Sequence, residues 1–594
     1  MGALHVMQQI NSRGFKMTGP VTPLAQEIHQ NNYREEGEDF REYTNRAARA
    51  LTDTPEEFQA FREDLASQVT LPGGRIQKAA GSMRGVTMYN CFVSGTIEDS
   101  FVSGPGSIMQ RLTESVSTMR LGGGIGYEFS TLRPKNALIK KLGSRSSGPL
   151  AFMDMFDAGC GAVKSAGDRR GAQMGTFDIH HPDVMDFIHA KQGSGRFKNF
   201  NLSVLVTDEF MRALEARQPY ELRFGGENYG SADPEVVWDA IMRSTYDWAE
   251  PGVIFIDRIN QRNNLWYCET IRATNPCGEQ PLPPYGACLL GSVNLTKLLN
   301  RGFNGRYVFD WAALPLIMER FVRALNNVVD RSIYPLEEQR LEALSKRRMG
   351  IGVTGLANTI EAMLGRKAYG DPEFLAIQDD IQRIMCEAAY KTSVEIAKER
   401  GSFPLFDRDK YLYGNAESFA QRRLPDWLKD EIWKHGIANS HLLSIAPTGS
   451  ISIAADNVSS GCEPVFSLRY DRDVITPQGK KTETVEDYGV RVFGIEGKTT
   501  AEVTVDEHLA VLAKCAEWVD SAVSKTVNIP EHYDFNDFKK VYKEAYRLGA
   551  KGCTTFRTGG KLMGILKPKD EAPAEEAPVE ACFLDPVTGK RECA

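Results

Sequence analysis

Between Thr274 and Leu295 the chain reads TNPCGEQPLPPYGACLLGSVNL, and its first part carries three kinds of reactive group at alternate positions: the amide of Asn275, the thiol of Cys277 and the carboxylate of Glu279. Pro276, Pro281, Pro283 and Pro284, with Gly278 and Gly286, surround them. Proline lacks the N–H that a helix interior or a central strand requires, so a stiffened loop is predicted. In an extended loop residues i, i+2 and i+4 face the same way, and all three groups could then meet one substrate. A second thiol, Cys288, follows eleven residues after Cys277. Elsewhere, Ala446-Pro-Thr-Gly-Ser-Ile451 offers backbone N–H groups and the hydroxyls of Thr448 and Ser450 ahead of a run of small residues. If a helix begins there, the turn is a cradle for phosphate.

The elements that must position these groups are legible as patterns. Residues 23–70 repeat Leu24, Ile28, Ala47, Ala50, Leu51, Phe58, Phe61 and Leu65 among charges, near helical spacing. From about residue 88 to 560, short runs such as Val204–Val206, Val253–Ile256 and Leu443–Ile445 are bounded by turn formers and read as strands. Stretches 106–120, 233–249, 310–330, 374–400 and 505–525 have helical length and periodicity. Strands alternating with helices predict α/β architecture with parallel strands. No repeat of 20–50 residues is visible. Residues 567–581, KPKDEAPAEEAPVEA, hold three prolines, four alanines and five acids with almost nothing to bury, and are predicted to form a disordered linker. Two cysteines, Cys582 and Cys593, follow it on the tail.

The 594 residues, with 25% charged and 9% aromatic side chains, exclude a largely disordered or collagen-like chain. A net charge of −7 leaves no electrostatic footprint for a nucleic-acid polymer, although a local basic pocket could still take a nucleotide. No uncharged apolar run approaches membrane-spanning length, and the N-terminus has no apolar core of a secretory signal. A cytoplasmic, reducing setting is therefore expected, with the eleven cysteines mostly as thiols. No CxxC pair occurs, which argues against a zinc ribbon, and no metal ligand set is predicted. Gly122–Gly126 lacks the last glycine of a dinucleotide fingerprint, and Gly494–Thr499 has two residues between its glycines where a P-loop needs four. The adjacent His180 and His181 are expected at a helix start or on the surface. Cys160, Cys268, Cys386, Cys462, Cys515 and Cys553 are assigned to packing.

NPCGE followed by YGACLLGSVNL closely resembles the ribonucleotide reductases, in wording the adenosylcobalamin-dependent (class II) branch. Tyr89-Asn90-Cys91-Phe-Val with Glu98-Asp99-Ser100, Asp168-Arg-Arg-Gly-Ala172, the 446–451 turn with Ser460-Gly-Cys-Glu-Pro-Val465, and Lys551-Gly-Cys-Thr-Thr-Phe-Arg557 extend the resemblance over roughly residues 85–560. It implies a ten-stranded α/β barrel, two antiparallel halves of five parallel strands, with a catalytic finger loop inside. A helical region (1–88) would precede the barrel (89–560), and a flexible tail (561–594) would follow.

It also implies radical-based reduction of ribonucleotides, as diphosphates, to 2′-deoxyribonucleotides for DNA synthesis. A carbon has no reason to give up a hydroxyl by acid–base chemistry alone, whereas a radical on the neighbouring carbon makes loss of water feasible, and such a radical calls for a cofactor. By the resemblance, Cys277 is the thiyl radical generated with adenosylcobalamin, Glu279 the general base and Asn275 a hydrogen-bonding partner of the substrate. Cys91 and Cys288, 197 residues apart, are the reducing dithiol, which requires the fold to bring their Cα atoms within about 7 Å. Asn90, Cys91, Gly124, Asn275, Pro276, Cys277, Gly278 and Glu279 would line the nucleotide pocket, with Pro447, Thr448, Gly449, Ser450 and Ile451 on the phosphates. Asp99 and Arg133 fall at a deoxynucleoside triphosphate effector site, and 191–201 looks like the flexible loop beside it. Thioredoxin or glutaredoxin would deliver electrons through Cys582 and Cys593, and a homodimer is implied.

Two departures carry consequences. The family's N-terminal ATP-binding cone has no room before residue 89, so overall on/off control by ATP and dATP is not expected. The adjacent tyrosine pair of class I large subunits is absent, Tyr542 and Tyr546 being one helical turn apart, which favours radical generation from the cofactor. The alternatives are a class I large subunit needing a separate radical-generating subunit, or a triphosphate-specific class II enzyme.

Overall fold

The computed structural model describes residues 19–140, 142–163, 171–193, 195–476, 479–561, 567–568, 582–584 and 591–593, excepting the side chains of 472–481 and of all residues beyond 561. Asp168, Arg169 and Arg170 lie outside the described residues, as do 569–581, the bulk of the expected linker.

Three N-terminal helices, Pro23–Tyr33, Phe40–Leu51 and Pro55–Ser67, start at Thr22, Asp39 and Thr54, whose side chains each accept a backbone N–H of the first turn. Asp39 and Glu42 satisfy one another's backbone as a full capping box. The faces carrying Tyr43, Ala47, Leu51, Phe61 and Leu65 are buried in the same core as the helix Ala313–Arg331.

The strands that frame the centre are β1 (Thr70–Pro72), β2 (Cys91–Val93), β3 (Gly124–Glu128), β4 (Gln173–Asp178), β5 (Phe200–Val206), β6 (Gly252–Phe255), β7 (Ala287–Cys288), β8 (Leu290–Asn294), β9 (Gly350–Thr354), β10 (Thr526–Ile529) and β11 (Gly552–Arg557). One eight-stranded sheet has the order β7-β2-β3-β4-β5-β6-β11-β10. Within it β2 to β6 run parallel, and β7 and β11 pair antiparallel with the two ends of that run. A three-stranded sheet has the order β1-β8-β9, β8 and β9 being parallel. Parallel strands need long crossovers, and the helices Ile108–Arg120, Pro149–Ala162 and Pro234–Trp248 supply them between β2 and β6. β1 pairs with β8, so the N-terminal region shares both a sheet and a core with the segment after residue 88.

Two elements differ from their sequence patterns, for one reason. Leu443–Ile445 forms only the isolated parallel bridges Ile351↔Leu443 and Ile445↔Val523, and the helix expected over 505–525 ends at Trp518. The buried Asp520 carboxylate accepts the N–H groups of Leu442 (2.7 Å) and Leu443 (3.0 Å). Backbone donors that a ladder would use go to this side chain, and Asp520 is thereby drawn out of the helix it was expected to continue.

Between the two sheets lies the loop of interest. Ala273–Thr274 pairs antiparallel with Pro281–Leu282, and the six residues between them form its tip. Space for it is made by glycine. A Cβ on Gly126 would collide with the Thr274 carbonyl, and one on Gly124 would press on Pro276 and on the Cys91 sulfur. On the other side, Cβ atoms on Gly350 and Gly352 would strike the Gln280 side chain and residue Ser444. Gly126→Ala is accordingly expected to lower thermal stability by an amount typical of core overpacking, ~1–3 kcal/mol or more. Gly85→Ala, where an added Cβ meets nothing within 4 Å, should leave the melting temperature unchanged; calorimetry of the two variants checks both.

Candidate active site

The loop tip is a turn, not the extended segment its prolines suggest. Gly278 N–H donates to the Asn275 carbonyl at 3.0 Å, which makes Asn275–Gly278 a β-turn with Pro276 at its second position. Asn275 N–H donates to the Gln280 carbonyl (3.1 Å), and Gln280 N–H to Asn275 Oδ1 (3.0 Å). The three reactive groups therefore do not share one face in the simple alternating sense. Asn275 and Glu279 are fully buried, whereas Cys277, at the crest of the turn, is exposed.

The tip is tied to both sheets. Asn201 at the start of β5 donates its amide N–H to the Pro276 carbonyl at 2.8 Å, fixing the peptide that leads into Cys277. Gln280 Nε2 donates to Ser444 Oγ at 2.8 Å, and Ala522 N–H donates to the Glu279 carbonyl at 3.0 Å. At the base, Arg272 bridges Glu128 (2.9 Å) and Asp178 (2.5 Å) at the ends of β3 and β4. Asn201, Ser444 and Arg272 carry no local signal of this role, because the groups each one joins are far apart in sequence.

Cys91 and Cys288 are direct cross-strand partners in the antiparallel pair of β2 and β7. Residues so paired have Cα atoms about 4.5–5.5 Å apart, inside the range a disulfide spans; both are free thiols here. Asn275 Nδ2 lies 3.9 Å from the Cys288 sulfur, so its amide serves the turn and the dithiol at once. Cys91 and Cys288 share a buried apolar cluster with Val93, Ala273, Leu282, Leu290 and Ala446, the last being the residue that opens the Pro447–Ile451 turn.

Burial controls the protonation of this site. The Glu279 carboxyl is pushed up to about 7 by desolvation, against the opposing effect of the Asn275 amide. Its Oε2 is buried without a hydrogen-bond partner. Burial, helped by the nearby Glu279, pushes the Cys91 thiol up to about 12 and the Cys288 thiol well above its ordinary value. At neutral pH both thiols keep their protons while Glu279 is poised to exchange its own.

A six-residue helix, Gly449–Ala454, begins right after Thr448, as the phosphate-cradle reading requires. Thr448 has φ +53°, and its hydroxyl is taken by Gly461 N–H (2.8 Å) and Thr354 Oγ1 (3.1 Å). Pro447, Ser450 and Ile451 are half-buried and Gly449 is exposed. Asn90 accepts the Arg75 N–H on its side-chain oxygen (3.3 Å) and donates its own backbone N–H to the Cys288 carbonyl (3.2 Å). Asp99 and Arg133 form an ion pair at 2.7 Å, both partly exposed. Residues 582–584 and 591–593 pair antiparallel with Cys582 opposite Cys593, while the two side chains lie outside the described residues.

Some expectations need correction. Cys268 is exposed and not packed, unlike Cys160, Cys386, Cys462, Cys515 and Cys553. Of the two places expected for His180 and His181, the structure has the helix start and not the surface: both are buried just before Val184–Ile188, His180 contacting Thr207 Oγ1 and the Glu221 carbonyl at 2.9 Å each, and His181 the Leu132 carbonyl at 3.0 Å. No group of three or more potential metal ligands exists among the described residues, and no described helix is long and apolar enough to cross a membrane.

Comparison with known proteins gives the family. The sequence model of the family "Ribonucleotide reductase, barrel domain" matches residues 89–492 and 480–556. A vitamin B12-dependent ribonucleoside-diphosphate reductase of Mycobacterium tuberculosis is 32% identical over 545 residues, covering 86% of this chain and 72% of the relative. One from Thermoplasma acidophilum is 30% identical over 590 residues, covering 93% and 72%. A vitamin B12-dependent ribonucleotide reductase of Streptomyces clavuligerus is 25% identical, with 92% of this chain and 64% of the relative aligned. The chain belongs to the ribonucleotide reductases, among their vitamin B12-dependent members.

Proposed function

We propose that this chain reduces ribonucleoside diphosphates to 2′-deoxyribonucleoside diphosphates with adenosylcobalamin, using Cys277, Glu279, Asn275 and the Cys91–Cys288 pair. The observation that carries this reading is the direct cross-strand pairing of Cys91 with Cys288 beside the Cys277 turn. The diphosphate preference and the cofactor follow the names of the relatives from M. tuberculosis and T. acidophilum.

The chemistry falls to groups with matched properties. The Cys277 sulfur, as a thiyl radical, takes the hydrogen atom from the 3′ carbon of the ribose. Glu279, with its carboxyl near 7, accepts the 3′-hydroxyl proton. The 2′ oxygen leaves as water on receiving a proton from the dithiol, which burial keeps protonated. Cys91 and Cys288 surrender two electrons and two protons in all, ending as a disulfide, and Cys277 returns its hydrogen atom to the 3′ carbon. The balance is ribonucleotide plus dithiol to deoxyribonucleotide, disulfide and water.

When bound, adenosylcobalamin supplies the one-electron oxidation that makes Cys277 a radical. The turn suits a bulky partner on its open side: Cys277 is exposed, and a Cβ on Gly278 (φ +80°) would meet no atom within 4 Å. Those two residues would receive it. The same exposure means that bound ligands, and not the empty protein, must shield the radical from water.

Several finer assignments belong to the same reading. A ten-stranded barrel is supported by the bridges Ile351↔Leu443 and Ile445↔Val523, which continue the parallel run of β8 and β9 toward β10 and β11. The loop Asn275–Gln280 would be its catalytic finger. Substrate phosphates would sit at Pro447–Ile451, a deoxynucleoside triphosphate effector near Asp99 and Arg133, and a dithiol protein such as thioredoxin would act through Cys582 and Cys593. A homodimer in the cytoplasm is the natural setting.

Anaerobic turnover of CDP and CTP with dithiothreitol, with and without adenosylcobalamin, tests the proposal. Deoxycytidine diphosphate is expected only with the cofactor; product appearing only after addition of a radical-bearing second subunit would overturn it. Cys277→Ser should abolish turnover while nucleotide binding persists in equilibrium dialysis. Activity should show an acidic limb near pH 7 as Glu279 loses its proton, and Glu279→Gln should lower kcat by about 10²–10⁴-fold. Stability carries the opposite sign. Because the folded carboxyl titrates near 7 and an unfolded one near 4.3, the folded state holds the proton more tightly. Wild type should therefore lose up to about 4 kcal/mol as pH rises through that window. Glu279→Gln should lack this loss in urea titrations at pH 5 and pH 8.

A further inference from the structure

The turn that carries Cys277 leaves one of its own peptides undecided. Pro276 and Cys277 are the second and third residues of the β-turn Asn275–Gly278. The peptide between them is the one whose orientation separates a type I turn from a type II turn. Proline presets the φ of the second position in both types, so the sequence does not choose. The closing bond, from Gly278 N–H to the Asn275 carbonyl, is common to both as well. Cys277 is not among the residues with positive φ, which is the type I sense. Turning the peptide over would give Cys277 a positive φ. Its Cα–Cβ bond would swing with that change, and the sulfur would point elsewhere while the chain on either side hardly shifts.

The handle on that peptide is the Pro276 carbonyl, and the loop itself does not hold it. Among the described residues no backbone N–H reaches this oxygen; its donor is Asn201 Nδ2 at 2.8 Å. The proline is buried, with its ring beside Gly124. Its carbonyl is therefore the part of the residue left to rotate. A left-handed φ is a modest penalty for cysteine. A carbonyl stranded at a buried residue without a donor costs a comparable amount, more than the net worth of the bond it lost. With the Asn201 amide present both effects favour one form; without it they oppose each other.

Asn201 is built as a fixed point. It is the second residue of β5 and pairs with Met174 of β4. Two residues earlier, Asn199 donates its backbone N–H to Asp157 Oδ1 (3.0 Å) and its side-chain N–H to the Asp157 carbonyl (3.1 Å). Its own carbonyl accepts the N–H of Gln173 at 3.0 Å. Asp157 belongs to the helix Pro149–Ala162, so helix and sheet together set where β5 begins. Phe200 and Leu202 are buried in the core, whereas Asn201 between them is exposed. Packing of the strand rests on its neighbours, and the amide serves the turn.

We infer that Asn201 is a positioning residue for Cys277: by holding the Pro276 carbonyl it keeps the turn in one form and so aims the sulfur. The role rests on the proposed function insofar as Cys277 carries the radical.

Asn201→Leu and Asn201→Asp both remove the donor while keeping the size of the side chain, and Asp also sets a carboxylate against the carbonyl. In CDP reduction with adenosylcobalamin, kcat should fall about threefold or more in Asn201→Leu and about tenfold or more in Asn201→Asp. KM for CDP and the melting temperature should not change. Unaltered kcat, a higher KM with kcat preserved, or a loss of turnover matched by a loss of thermal stability overturns the role. A second readout needs no turnover. Cys277 and Cys268 are both exposed thiols, and the held turn is the form that presents Cys277 outward. With limiting iodoacetamide and peptide mass spectrometry, Cys277 should be alkylated about threefold more slowly in Asn201→Leu, the same fraction by which kcat falls. Cys268 should react as in wild type. Equal or faster alkylation of Cys277 in the variant, or an equal slowing at Cys268, overturns the lock. If wild type makes no deoxynucleotide, the proposed function fails, and the alkylation rates alone decide whether Asn201 aims Cys277.

Discussion

The centre of this protein depends on backbone meeting backbone where side chains are missing. The tip Asn275–Gln280 is held between two sheets because both facing strands carry Gly-Ile-Gly: Gly124 and Gly126 in β3, Gly350 and Gly352 in β9. Alternate residues of a strand face the same way, so each pair clears a strip of sheet. Without those strips the turn would ride higher, and the hydrogen bonds from Asn201 and Gln280 could not both form. The dithiol is then set by strand register, the thiol by a turn, and the base by burial, and all three share this one clearance.

What could be read from the sequence divides along the same line. Proline and glycine marked the loop, and the strand and helix patterns between residues 88 and 560 match elements of the structure, apart from Leu443–Ile445 and the end of 505–525, because those signals are local. The form of the loop was not local. A tight turn places Cys277 outward and its two neighbours inward, whereas alternation alone puts all three on one side. Gly122–Gly126 reads by spacing as a failed dinucleotide fingerprint, with Gly124 at the nucleotide pocket by resemblance; the clearance that Gly126 gives a distant carbonyl, that of Thr274, shows only in the fold. Asn201, Ser444, Arg272 and the Asp520 carboxylate likewise work on segments far from them in the chain, which no spacing rule can reveal.

The pocket behind the turn is held near neutral by burial rather than by paired charges. In the pocket, burial keeps the thiols protonated and the carboxyl close to neutrality. Transfer of a hydrogen atom moves no net charge, and such a medium does not penalise it.

The exposure of Cys277 has a cost of its own. Cys288 is protected by depth and Cys91 is half-buried, but the crest of the turn has no such cover. A sulfur that a large partner can reach is equally open to molecular oxygen, peroxides and electrophiles. Safety then becomes a matter of sequence in time: the site is least vulnerable when both faces are filled before any radical forms. Order of ligand arrival would thus be a protective device, written into the shape of a single turn.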